Sequence, residues 1–248
     1  MLKKIKDYYN WGGRFLNDPY HIKVGQIDKE EIAKTPLRSD IINYLINFLD
    51  RETTYLEIGV RNPAINYDEI KSDTKYSVDP GIEFKTNPVD FKLTSDVFFD
   101  DLRNGKVLSK ELKFDVIFID GLHLAEQVDR DIKNALEFIK EDGFIVLHDC
   151  NPPTEWHARE EHGYRISPAK NNWNGTTWKA FAKWRQKKDL FSCCIDTDWG
   201  VGIISKTQKI GSSSPLENEF YEFKVFKKNQ NESMNLISFV DLKKVLKN

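Results

Sequence analysis

What is scarce in this sequence narrows the field first. No run of apolar residues approaches the roughly 18 that a membrane-spanning helix needs, and the amino-terminal "MLKKIKDYYNWGGRF" has basic residues without the apolar stretch of an export signal. The expectation is a soluble, cytoplasmic protein with no membrane insertion. Neither sign of charge is in excess: 37 Lys and Arg stand against 39 Asp and Glu, a net charge of −2. No strong field therefore draws the chain to nucleic acid or to an anionic partner. Cysteine is limited to Cys150, Cys193 and Cys194, with no C-x-x-C pair. Adjacent cysteines rarely bridge with good geometry, so a reduced compartment is expected. A full G-x-G-x-x-G is also missing: in "YLEIGVRNP", Gly59 is followed by Arg61, Asn62 and Pro63, which makes a poor dinucleotide fingerprint. A small soluble ligand remains as the default partner, and homo-oligomerisation stays open.

The 248 residues suffice for one sizeable α/β domain. Residues 1–38 read as an arm or cover, with a short helix near Leu2 to Tyr9 and then an irregular stretch. "RSDIINYLINFLD" spaces Ile41, Ile42, Leu45, Ile46 and Leu49 as one helical face, with Ser39 or Asp40 as its N-cap. From Thr54 onward, short apolar runs alternate with helices: "TYLEIGV", "KYSVDP", "FDVIFIDG" and "GFIVLHDC", the last two separated by the amphipathic "EQVDRDIKNALEFIKEDG". That rhythm predicts βαβ units and a parallel sheet whose strand carboxyl ends share one ligand-binding edge. "FSCCIDT" and "WGVGIISK" predict a closing antiparallel hairpin. Between the two parts, residues 151–175 form a long aperiodic segment of the kind that serves as a lid. A core over 39–206 and a carboxyl-terminal extension over 207–248 complete the expected layout. The extension opens with a "GSSSP" loop and ends in a helix around Ile237 to Leu246.

The chemistry-bearing residues gather at strand ends. Glu57 and Gly59 end the first strand, where a glycine admits close approach and a carboxylate accepts from an ammonium or hydroxyl group; an ordinary strand-to-helix turn has the same look. Asp79 follows the glycine by about 20 residues, the separation at which an acid reaches ribose hydroxyls, although Asp79-Pro80 also suits a plain turn. Ser95 or Asp96 suits a helix cap or an adenine contact. Asp120 stands at the tip of "FDVIFID" with His123 three residues on, and the next strand ends in His148 and Asp149. Neighbouring parallel strand ends are about 5 Å apart, so Asp120 and Asp149 would repel unless a proton or a cation lay between them. A hard divalent ion suits the oxygens, and His148 widens the choice from Mg towards Mn. His123 has the ordinary pKa of a general base.

In order, "YLEIGV", "SVDP", "TSD", "FIDGLH" and "GFIVLHDC" resemble the motif series of class I S-adenosylmethionine-dependent methyltransferases over residues 40–205. "IDGLH" and "HDCNPPTEWH" resemble in particular the bacterial metal-dependent sugar O-methyltransferases. The resemblance implies a Rossmann-like fold with a mostly parallel seven-stranded sheet, helices on both faces, and S-adenosylmethionine as cofactor. It implies that Glu57, Gly59, Asn62, Asp79, Ser95, Asp96 and Asp120 line the cofactor. Asp120, His148 and Asp149 would hold Mg or Mn, and His123 would act as base beside Asp120. His148 departs from the acidic pair usual at that position. The acceptor would be a nucleotide-linked or polysaccharide-precursor sugar. In the long segment and the helix after it, Glu155, Trp156, Arg159, Asn172, Trp173 and Trp178 can stack on or bond a sugar, as can Asn171 and Asn174. Arg159, Arg165 and Lys170 can meet phosphate, although each Trp suits packing equally. Two other readings share these residues: a metal-dependent hydrolase or hydroxylase, and a silent binding protein on the same scaffold.

Overall fold

The computed structural model describes residues 2–84, 86, 88–163, 166–213 and 218–247. The apolar runs form strands β1 (Thr54–Ile58), β2 (Thr74–Val78), β3 (Phe114–Ile119), β4 (Ile139–Leu147), β5 (Phe191–Ile195) and β6 (Val201–Ser205). A short seventh strand, β7 (Leu236–Ile237), joins them in one sheet of order β2-β1-β3-β4-β6-β5-β7. β1 to β4 are parallel, β6 runs antiparallel between β4 and β5, and β7 lies parallel to β5 at the far edge. This is the Rossmann-like, mostly parallel seven-stranded sheet with its antiparallel hairpin. β7 comes from the carboxyl-terminal segment, where the spacing predicted only a helix.

Alternation along each strand feeds two cores. Leu56, Ile58, Ile117, Ile119, Ile145 and Leu147 face one side of the sheet. There they meet Phe98, Phe99 and Leu102 of α4 (Ser95–Arg103), Val128, Ile132 and Ala135 of α5 (Ala125–Phe138), and Trp178 and Phe181 of α6 (Thr177–Trp184). Tyr55, Val116, Phe118, Phe144 and Val146 face the other side, against Ile41, Ile42, Leu45 and Ile46 of α3 (Arg38–Phe48) and Leu242 of α9 (Phe239–Val245). Strands with apolar residues on both faces are the signature of a sheet covered on both sides. Cys150, Cys193 and Cys194 are buried free thiols.

Several boundaries differ from the spacing-based expectation. The first helix, α1, runs from Leu2 through Gly12 and Gly13 to Leu16, and the stretch expected to be irregular holds α2 (Pro19–Ile32). Asp18 caps α2 by accepting from the Tyr20 and His21 N–H groups, and Pro19 supplies a fixed φ at its first position. α3 starts one residue before Ser39, with Leu37 as N-cap and Asp40 accepting from the Leu37 N–H at 3.1 Å. Thr94, rather than Ser95 or Asp96, caps α4. In the extension, two short helices, α7 (Phe223–Lys228) and α8 (Gln230–Met234), precede α9, which begins at Phe239 with Ser238 as its cap. The later part of the expected "GSSSP" loop, like Arg165, lies outside the described residues.

The edge opposite the site is closed by a buried acid. Asp115, fully buried, accepts from Arg51 Nε at 2.8 Å, Lys140 Nζ at 2.7 Å and the Thr54 N–H at 2.8 Å, tying the starts of β1, β3 and β4 together. Removing it leaves Lys140 and the Thr54 amide without this acceptor and Arg51 with Asp142 alone. Asp115→Ala is expected to lose about 2–4 kcal/mol of stability in urea unfolding; an unchanged midpoint would contradict this role.

Candidate active site

The register places the four parallel strand ends side by side. Ile58 pairs with Val78 and Ile119, and Ile119 with Leu147, so Gly59, Asp79, Asp120 and His148 are the next residues out along one edge. The β5–β6 turn, with Asp198 and Trp199 in the left-handed region, reaches the same edge. There the Gly200 and Trp199 carbonyls accept from the Cys150 and Asn151 N–H groups. α3 points its first residue, Arg38, into the group.

Six ionisable side chains meet there. His123 lies between two carboxylates, with Nε2 3.2 Å from Asp120 Oδ1 and Nδ1 3.1 Å from Asp149 Oδ2. His148 Nδ1 is 3.2 Å from each of the same acids, and its Nε2 is 3.3 Å from Asp198 Oδ1. The Arg38 guanidinium lies against the His148 ring, 3.6 Å from Asp120 Oδ2 and 3.5 Å from Asp198 Oδ2, while its backbone N–H donates to Asp198 at 2.9 Å. Asn174 donates to Asp149 Oδ1 at 2.8 Å. Asp149 itself has φ +60, a conformation that costs free energy for a residue with a Cβ and is held by these contacts.

Proton affinities follow from this packing. Burial opposes charge on His123, but Asp149 and Asp120 outweigh it and lift its pKa to about 9. Burial and the adjoining Arg38 oppose charge on His148, and again Asp149 and Asp120 prevail, raising it well above the ordinary value. Burial would raise Asp120 and Asp198, yet His148, His123 and Arg38 hold Asp120 well below the usual carboxylate range, and His148 and Arg38 hold Asp198 at about 2. Three carboxylates therefore face three cationic groups.

The neighbouring strand ends are placed as expected, with different local roles in part. Glu57 is buried and its pKa rises to about 7, because burial outweighs the bonds from Tyr55 Oη at 2.6 Å and Asn66 Nδ2 at 2.8 Å, both on Oε2. Gly59, at φ +92, is required by the chain itself: a Cβ would lie 2.4 Å from the Asp120 carbonyl oxygen and Gly121 Cα. Asn62 caps a short 3₁₀ turn, and Asp79 Oδ1 accepts from the Gly81 N–H at 2.6 Å, the turn contact its Pro80 neighbour suggests. Ser95 and Asp96 meet Gln127 Nε2 at 3.0 and 3.3 Å, at the start of α4.

Among the acceptor-side residues, Trp173 reaches the cluster. Its ring stacks on His123 with centroids 5.1 Å apart, and its carbonyl lies 3.3 Å from His123 Nδ1. Arg159 is occupied by backbone carbonyls, those of Trp156, Asn172 (3.0 Å) and Lys170 (2.9 Å) among them, so it braces the loop from within. Trp178 is a correction: it is 1% exposed and packs on Phe226, because α6 turns that face into the core. Asn174 is fully buried and serves Asp149. Glu155, Lys170 and Asn171 are exposed, whereas Trp156 and Asn172 are half-buried. Gly175, at φ +61, lets the loop pass the His123 backbone, where a Cβ would come within 2.1 Å of the His123 carbonyl oxygen.

Arg38, Asn66 and Asp198 escaped the sequence reading. Asp198 carried one usable signal, since an antiparallel return strand beside β4 must begin at the strand-tip edge. Arg38 and Asn66 carried none, being brought in from a helix start and a loop.

The donor set suits a divalent ion. Ligands on one ion, at about 2.0–2.4 Å each, lie no more than about 4–5 Å apart. One ligating atom from each of Asp120, His123 and Asp149 falls within 4.8 Å of the others. His148, expected as a ligand, touches the same two acids from the Arg38 side.

An open α/β sheet with an ionisable cluster at its carboxyl edge defines a Rossmann-like ligand-binding fold. Residues 75–150, from β2 to just past β4, match the family model described as a methyltransferase domain. No curated protein matches the chain. Among solved structures, similarity is found to an O-methyltransferase from Bacillus cereus in complex with SAH, at 13% identity and TM-score 0.41 over 77% of this chain and 92% of that one. It is also found to the SAH-bound Podospora anserina methyltransferase PaMTH1, at 13% identity and TM-score 0.45 over 82% and 96%. A third is MycE methyltransferase from the mycinamycin biosynthetic pathway, in complex with Mg, SAH and mycinamycin VI, at 13% identity and TM-score 0.43 over 73% and 51%. Likeness at this level transfers no residue role and no substrate.

Because the folded pKa of His123 exceeds its ordinary 6.5, its pairing stabilises the fold fully below pH 6.5 and is lost as pH rises through about 9. In a proton-detected NMR titration without added metal, His123 is expected to titrate near pH 9, and Asp149→Asn to move it towards 6.5. A wild-type midpoint at or below 6.5 would contradict the geometry.

Proposed function

We propose that this chain transfers the methyl group of S-adenosylmethionine to a hydroxyl of a sugar, carried on a nucleotide or a polysaccharide precursor. The observation that carries this reading is His123, an imidazole set between Asp120 and Asp149 beside the Glu57–Gly59 strand end. The sulfonium methyl is already activated, so the protein has to align an oxygen for in-line attack and take its proton. Glu57 would face the amino-acid end of the cofactor, Asp79 the ribose hydroxyls, and Ser95 and Asp96 the adenine. Residues 151–175 would cover the acceptor, with Trp173 holding the His123 ring in place and Glu155, Trp156 and Asn172 towards the sugar.

His123 accepts a proton only when neutral, and in the cluster as it stands Asp120 and Asp149 favour its charged form. A divalent cation held by Asp120, Asp149 and an imidazole nitrogen of His148 would polarise the acceptor hydroxyl and leave His123 free to act as base. Cation and imidazolium compete for the same two carboxylates, so added Mg is expected to lower the His123 pKa in the same NMR titration. An unchanged midpoint at saturating Mg would remove the metal from the proposal.

Two further measurements test the reading. Calorimetric binding of S-adenosylhomocysteine is expected for wild type and lost in Asp79→Ala; no binding by wild type would overturn it. A screen of nucleotide-linked sugars and glycosides with labelled cofactor should locate the acceptor, with the new methyl placed by NMR. With that acceptor, His123→Ala is expected to slow transfer by about 10²–10⁴-fold while cofactor affinity holds; normal turnover would take the base role from His123.

A further inference from the structure

α1 is the one long helix of the described residues that buries no side chain. Leu2, Ile5, Tyr9 and Leu16 fall on one side of it, flanked by Tyr8 and Phe15; Lys3, Lys6, Asn10 and Arg14 fall on the other, and Lys4 and Trp11 lie at the margin beyond Phe15. The apolar side is open: Leu2 is 84% exposed, Tyr9 81% and Leu16 69%. Among the described residues its attachment is slight, with the Phe15 ring against His21, centroids 4.1 Å apart. Lys3, Lys4, Lys6 and Arg14 enter no ion pair among the described residues. A helix this amphipathic, with none of the described residues beneath its apolar side, is unfinished as a piece of the fold.

Charge and composition say what completes it. Four basic residues stand against one acid, Asp7, within α1, in a chain whose net charge is −2. Tyr8, Tyr9, Trp11 and Phe15 combine apolar rings, three of them with a polar tip, and such side chains settle at a lipid–water boundary. A basic polar side opposite an aromatic and aliphatic one describes a helix lying in the plane of a bilayer surface.

We propose that α1 docks the protein peripherally on anionic phospholipid surfaces, with Leu2, Ile5, Tyr9 and Leu16 in the headgroup–acyl boundary, Trp11 at the headgroup margin, and Lys3, Lys4, Lys6 and Arg14 against lipid phosphates. No helix of the described residues is long and apolar enough to cross a membrane, so the contact is with one leaflet. The catalytic proposal does not depend on it.

The test is flotation of the full-length protein with vesicles of phosphatidylcholine alone or mixed with phosphatidylglycerol. Wild type is expected to float with the mixed vesicles and not with phosphatidylcholine alone. The triple variant Lys3→Ala, Lys4→Ala, Lys6→Ala is expected to weaken binding about a hundredfold, and Ile5→Asp to abolish it, each keeping the circular dichroism and unfolding midpoint of wild type. Absence of wild-type flotation, or flotation unchanged in Ile5→Asp, would overturn the proposal. So would light scattering that shows a wild-type dimer split by Ile5→Asp without vesicle binding, since the face would then belong to a second copy.

Discussion

The opposition of Asp120, Asp149 and Asp198 to His123, His148 and Arg38 is the interaction on which the site depends. Each acid sits at the tip of a strand or turn that the sheet register delivers to one edge. Three carboxylates gathered this closely would not stay ionised alone. The cations arrive from separate places: His123 from the loop after β3, His148 from the end of β4, and Arg38 from the start of α3. Charge balance at the edge thus ties the amino-terminal helices, the parallel strands and the β5–β6 turn to one another. Lys34 with Asp196 at 2.8 Å, Thr197 Oγ1 on the Pro36 carbonyl at 2.9 Å and Arg38 with Asp198 form a consecutive seam along that junction.

The same balance sets the chemical character of the centre. A doubly paired imidazole is held firmly and in a known orientation, which favours alignment, but the carboxylates that orient it also retain its proton. A bound cation and the proton on His123 are alternatives in one electrostatic field. This coupling links the orientation of the base to its readiness. Trp173 adds a second constraint, closing one face of the ring with a residue from the covering segment. Loop position and base position are then parts of one packing arrangement.

How much of this was readable beforehand depends on range. Strand existence, the parallel order and the closing hairpin follow from short apolar runs and turn residues, which are local properties; Val116 to Ile119 could hardly be anything but a buried strand. Asp79, Asp120, His123, His148 and Asp149 could be placed on one edge because parallel strands end together. Gly59 was legible as a position that admits close approach, and the neighbour that demands a glycine there, the Asp120–Gly121 backbone of the adjoining strand end, was not, because it is brought in by the sheet register. Trp178 shows the opposite limit: an aromatic near a binding loop has the same local signature in the core as at a site, and only the path of α6 separates them. Arg38 and Asn66 reach the cluster through tertiary folding alone. β7 was hidden because two residues carry no periodicity.

The pH dependence of methyl transfer, with the acceptor found by screening, tests the central claim most directly. If His123 held between Asp120 and Asp149 is the base, kcat/KM measured without added metal rises tenfold per pH unit and levels off near pH 9, and that limb is missing in His123→Ala. The same limb, at the same midpoint, in both wild type and His123→Ala would contradict the account.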